Sequence, residues 1–226
     1  MRLAAAAALA LALALAGVAG AAPAADECDG LDSCIPVAGP WVAVPARVGA
    51  GLWQLKCPQG VVAGLDARVS ERPLHVTFDG FVGSPVNPGI TTARDVLFTG
   101  RWAGALRKTV SFKPYIGCIQ GGGGQRTPTS TDQLRPGRPV TIRSTELRVV
   151  AGRTAHGVLR CTRGERMLSA SHAVGVYGAK PPAASVLDGV RVTLTAREGV
   201  VSATASRDGL PTGLRIRVQL QAVCVQ

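Results

Sequence analysis

One phrase is written twice in this chain, as "LKCPQG" at 55–60 and as "LRCTRG" at 159–164, and each copy is followed by a further cysteine at nearly the same distance. Cys118 lies 61 residues after Cys57, and Cys224 lies 63 after Cys161. Six cysteines permit many pairings. The matched spacing singles out Cys57–Cys118 and Cys161–Cys224 and leaves Cys28–Cys34 to close a small local loop. Two copies of one disulfide-closed unit would account for the phrase.

Strand periodicity tests that pairing separately, because alternate residues of a strand face the same side. In 214–224, Leu214, Ile216, Val218, Leu220, Ala222 and Cys224 share one face, while Arg215, Arg217, Gln219 and Gln221 share the other. The same parity sets Val110, Phe112, Ile116 and Cys118 together, and Trp53, Leu55 and Cys57. All four long-range cysteines therefore fall on apolar faces, where a bond joining two packed sheets belongs.

Other segments read as short strands bounded by turns: 61–70, 74–81, 95–98, 109–119, 140–150, 157–161, 172–177, 190–196, 200–206 and 214–225. "FDGF" reads as a turn through Asp79 and Gly80, and outside the first residues the nearest approach to a helical period is "RWAGALRKT". The fold class is all-β: two tandem small β-sandwiches, loosely Ig-like, each with one disulfide. Trp102 is the candidate core tryptophan of the first unit. The layout expected is a segment 25–39 carrying the Cys28–Cys34 loop, a β-domain 40–119, a Gly/Pro-rich linker or exposed loop 120–139, and a β-domain 140–226. Cross-pairing that fuses the halves into one body stays open.

Residues 1–24, "MRLAAAAALALALALAGVAGAAPA", have one basic residue, an Ala/Leu run and a small-residue end, which reads as a secretory signal peptide cleaved after Ala24, with Ala21 as the alternative. Alanine is a poor membrane residue and no stop-transfer cluster follows, so the run is not read as a span. The expected location is secreted or periplasmic, where an even set of cysteines is oxidised.

The ends "CPQG" (57–60) and "AVC" (222–224) resemble those of uncharacterised secreted proteins of high-GC bacteria, whose β-domains open with Cys-Pro-x-Gly and close with Ala-x-Cys. Thr162 replaces the proline in the second unit, and the first ends in "IGC". The resemblance implies no activity and no site.

Removing Arg2 with the leader leaves 24 basic and 14 acidic residues, a net +10. A GC-rich genome would produce the same excess of arginine and alanine. The physical consequence holds either way: such a chain favours anionic surfaces. Arg191 and Arg197 flank one strand and Arg215 and Arg217 project from another, which makes them the candidate basic binding face. The scarcity of aromatic residues, 4% of the chain, argues against nucleic acid, which on a sheet needs stacking platforms.

Catalytic patterns are weak. Zinc wants closely spaced His and Cys ligands; His75, His156 and His172 are scattered and Cys161 belongs to a disulfide. Ser169 and Ser171 neighbour His172, but adjacent strand residues face opposite ways, and no nucleophile elbow exists. Asp66, Asp79 and Asp95 could supply paired carboxylates without a spacing that favours it. Asp26, Glu27, Asp29 and Asp32 lack the calcium-loop glutamate, since Pro36 stands there. No catalytic residue, metal site or cofactor is assigned. The expected function is that of a non-catalytic, structural or adhesive protein on an anionic cell-envelope polymer. The alternatives are an inhibitor or ligand presenting 120–139 to a secreted enzyme, and an unrecognised hydrolase.

Overall fold

The computed structural model describes residues 26–31, 33–80, 94–103, 105, 107–120, 140–209 and 214–225. The expected leader 1–24 and residues 121–139 of the Gly/Pro-rich loop lie outside them. The chain runs through β1 (Cys34–Ala38), β2 (Trp41–Val44), β3 (Ala50–Lys56), β4 (Val61–Val69), β5 (Leu74–Gly80), β6 (Asp95–Trp102), β7 (Val110–Ile119), β8 (Val140–Val149), β9 (Ala155–Arg160) and β10 (Arg166–Tyr177). A one-turn helix α1 (Ala184–Asp188) precedes β11 (Arg191–Arg197), β12 (Val200–Ser206) and β13 (Arg215–Val225). The fold is nearly all β, with three sheets among the described residues and three disulfides.

Both copies of the twice-written phrase do the same local job. Each ends a strand of an outer sheet at its cysteine, after β3 or β9. Each then turns through a glycine with positive φ, +76° at Gly60 and +89° at Gly164, a conformation costly for any residue with a Cβ. The chain then enters the central sheet as β4 or β10. Both of those strands are bulged near their starts, between Val62 and Gly64 and between Met167 and Ser169. The outer sheets are also alike, one ordered β3-β6-β5 and the other β9-β12-β11. β7 lies beside β4 as β13 lies beside β10.

The long-range disulfides tie each outer sheet to the central one: Cys57 to Cys118 with Cα atoms 5.7 Å apart, and Cys161 to Cys224, also at 5.7 Å. Cys28–Cys34 closes the N-terminal loop.

The expectation of two sandwiches, each with its own pair of sheets, does not describe the central sheet. Its order is β1-β7-β2-β10-β13-β8, with β4 on the far side of β7. β2 pairs with β7 through Val42–Phe112 and with β10 through Val42–Gly175 and Trp41–Val176, so one seven-stranded sheet runs through both halves.

The outer sheets cover opposite faces of it. Val42 and Val44 join Trp53, Phe98 and Phe112 in a core under β3, β5 and β6. Ala43, between them, joins Val218, Leu220, Ala203 and Ala205 in a core under β9, β11 and β12. β2 is therefore buried at all four positions, as a strand covered on both faces must be.

Three further expectations change. The buried tryptophans are Trp53 and Trp41, not Trp102, which is only partly buried. Asp79 and Gly80 continue β5 rather than forming a turn. Gln219 and Gln221, placed by parity on the solvent face of the last strand, are 2% and 4% exposed. The cause is shared: β3 lies over that face where the first outer sheet overhangs β13, and Gln219 bonds to it.

Candidate functional site

The chemistry-bearing residues singled out in the sequence are dispersed. His75 is on β5, His156 on β9 and His172 on β10, one in each sheet and all exposed. Among the described residues none is hydrogen-bonded to a carboxylate. Asp66 accepts from the backbone N–H of Ala67 and of Asp26, and Asp95 accepts from Gln54, so these two carboxylates serve separate structural contacts. Cys161, Glu165 and Cys224 lie close together, but both sulfurs are committed to a disulfide and cannot ligate as thiolates.

The four candidate arginines divide between two surfaces. Arg191 and Arg197 stand at the two ends of β11, exposed on the outer face of the second outer sheet. Arg215 and Arg217 lie on the central sheet, on the face turned away from that outer sheet; the Arg215 guanidinium sits 5.4 Å from the centre of the Tyr177 ring.

Register builds the first of these surfaces row by row. Arg197, Val200 and Arg160 are successive partners, as are Thr195, Ser202 and Val158, then Thr193, Thr204 and His156, then Arg191 and Ser206. Two strand spacings separate Arg197 from Arg160, about 10 Å. No outward position in these rows is acidic, and between the arginines lie the hydroxyls of Thr193, Thr195, Ser202 and Thr204 together with His156 and the exposed Val158. The nearest carboxylate along the chain, Glu198, is in the β11–β12 turn.

A cleft of about 620 Å³ opens where the first outer sheet overhangs β13 and β8, within the usual range for ligand sites. Gln219 organises its floor. Its Oε1 accepts from the Gln54 N–H at 2.7 Å and its Nε2 donates to the Gln54 carbonyl at 2.9 Å, so one side-chain amide pairs with β3 as a neighbouring strand would. Gln221 donates to the same Oε1 at 2.8 Å. Both carboxylates on the walls are engaged by amide donors, Glu146 by Gln219 at 3.4 Å and Asp95 by Gln54 at 3.0 Å. Lys56 and Arg160, the basic residues of the two "Leu-basic-Cys" phrases, both line the cleft and are exposed. Neither has an ionic partner among the described residues.

Arg143, also on the wall, is held by Glu165, which receives two of its nitrogens at 3.0–3.2 Å and the Thr162 N–H at 2.8 Å. The Arg143 and Thr162 bonds draw the Glu165 carboxyl down to about 2. Tyr177 lines the same space; burial pushes its phenol up, Glu146 adds to that, and Arg217 and Arg215 pull it down.

Lys56, Arg160, Gln54 and Gln219 were missed as site residues. The signal for the first two was in the twice-written phrase, where attention goes to the cysteine. No family model, no curated protein and no solved structure matches this chain.

Proposed function

We propose that this is an extracytoplasmic, non-catalytic β-protein that holds an anionic polymer on its arginine-edged faces, as a structural or adhesive component. The reading includes cleavage of the leader near Ala24, and two copies of one disulfide-closed β-unit joined through a shared sheet. Three disulfides suit an oxidising compartment and would resist reduction there.

The observation that carries it is the outer face of β11, β12 and β9: Arg191 at one end, Arg197 and Arg160 at the other, hydroxyls between, and no acidic outward position. Guanidinium groups pair with phosphate or carboxylate oxygens, often through two parallel hydrogen bonds, and Ser and Thr hydroxyls can donate to further oxygens. No helix among the described residues is long and apolar enough to cross a membrane.

The test is retention of the processed protein on polyphosphate-coated beads against neutral dextran beads. Retention at low ionic strength should be lost as salt shortens the screening length, and R191E/R197E should reduce it further. Equal retention on both supports, or retention unaffected by salt, would overturn the reading.

A further inference from the structure

We infer that the outer edge of β8, with the cleft beside it, is a strand-addition site for an extended acidic segment of a partner polypeptide. β8 forms an unbroken ten-residue ladder with β13, from Val140–Val225 to Val149–Ile216. Among the described residues it pairs with nothing on its other side. A strand in that position presents a row of backbone donors and acceptors, and β-sheet proteins either blunt such an edge or use it. β8 carries charged side chains at Arg143, Glu146 and Arg148, but at ten residues it is long for an edge, its ladder shows no bulge and its sequence, "VTIRSTELRV", has no proline.

The second, independent observation is the cleft. Recognition by strand addition takes affinity from backbone pairing and specificity from side-chain pockets beside the edge, and the 620 Å³ cleft is lined by residues 141–146 of β8 itself. Its exposed cations point to the occupant. Glu146 and Asp95 keep their charge but are held by the side-chain amides of Gln219 and Gln54, whereas Lys56 and Arg160 have no ionic partner among the described residues and are the groups left to meet a partner's carboxylates.

These two cations belong to different outer sheets, which cover opposite faces of the central sheet. Successive side chains of an added strand also point to opposite faces. Two adjacent carboxylates would therefore reach one cation each, the first toward Lys56 and the second toward Arg160. This site shares Arg160 with the margin of the β11 face but uses neither Arg191 nor Arg197, and the proposal does not depend on polymer binding.

The experiment uses the processed full chain and a fluorescein-labelled decapeptide of alternating Thr and Val with a central Glu-Glu pair. The controls are the same peptide with Lys-Lys at its centre and its mirror-image form. Anisotropy should show saturable binding of the Glu-Glu peptide alone. K56E/R160E should weaken it by at least about tenfold, as loss of two charge contacts does, while R191E/R197E leaves it unchanged.

Hydrogen exchange supplies the readout that general charge attraction would not move: alternate amides of β8 should gain protection on peptide addition. Binding without that protection, equal binding of the mirror-image peptide, or no effect of K56E/R160E overturns the proposal. Concentration-dependent dimerisation that protects the same amides without peptide would reassign the edge to a second copy and overturn it too.

Discussion

Replacing Gln219 by Ala removes one of the contacts that seat the first outer sheet on the second half of the molecule. The side chain is 2% exposed, and its amide satisfies the N–H and the carbonyl of Gln54 and accepts from Gln221. Truncation leaves those three groups without partners. An unsatisfied buried polar group costs about 1–3 kcal/mol, and water entering from the adjoining cleft restores part of that, so the expected loss is about 3 kcal/mol. In a chain of this size each kcal/mol moves Tm by about 2–4 °C, so Tm should fall by about 6–12 °C. Urea denaturation gives the free energy directly.

The geometry makes a sharper demand. Because the bonds go to the backbone of Gln54, Q54A leaves them in place, and the cost of Q219A should be the same in the Q54A background within about 0.5 kcal/mol. A Q219A cost below about 0.5 kcal/mol, or one that disappears when Q54A is also present, would refute the view that a side-chain amide completes β3.

Gly175 is packed so that a Cβ there would meet the Trp53 ring at 2.8 Å as well as the Pro40 ring; G175V should destabilise by about 1–3 kcal/mol through overpacking, seen as a lower urea midpoint, whereas G152A, at a position with open space around it but positive φ, should cost about 1 kcal/mol. C57A/C118A opens a loop of 61 residues and should cost about 4 kcal/mol in the chain-entropy account, measured under nonreducing conditions against the parent protein. Glu165, drawn from an ordinary 4.5 to about 2, binds fewer protons folded than unfolded between those values. Its contribution is present above pH 4.5 and is lost as pH falls toward 2. E165Q should flatten that part of the Tm-against-pH curve, and an unchanged slope would show that the Arg143 pair is not coupled to folding.

Alternation along a strand reports how one face differs from the other, and this explains which parts of the fold were legible. β13 and β7 read clearly because one row of each is wholly apolar, and the cysteine spacing pairs the same residues that the structure joins. β2 is "WVAV", apolar at every position, with no alternation to read because a different sheet covers each face. β1 contains Pro36, which argues against a strand interior; its pairing with β7 from Cys34–Ile119 to Ala38–Tyr115 is long-range and leaves no local mark. The first turns of β10, "RMLSA", mix polar and apolar residues around the bulge after Met167, so only the 172–177 part stood out. The cleft was invisible for a related reason. Gln219 and Gln221 have the composition of a solvent face, and only the overhang of β3 makes that face an interior.

The same register explains why the central sheet joins two halves and goes no further among the described residues. The joint between β2 and β10 depends on three residues: Gly175, which lets Trp53 approach; Trp53 itself; and Gln219, which pairs with β3. Their counterparts by strand pairing are Ser70, Gly157 and Lys113. At the outer margins the glycine's counterpart is a serine whose Oγ accepts from the Ser111 N–H, and the tryptophan's is a glycine lying against Leu147. The amide's counterpart is an ammonium whose pKa burial lowers and whose Nζ donates to the Gly178 carbonyl. A further half docked in the same way would find no aromatic to place and no amide to complete its outer edge strand, and it would have to displace the Lys113 bond. Backbone geometry alone would let such a joint recur, since an open sheet can always take another strand. Side-chain composition is what confines the joint to one place and leaves the margin at β8 for a strand of different chemistry.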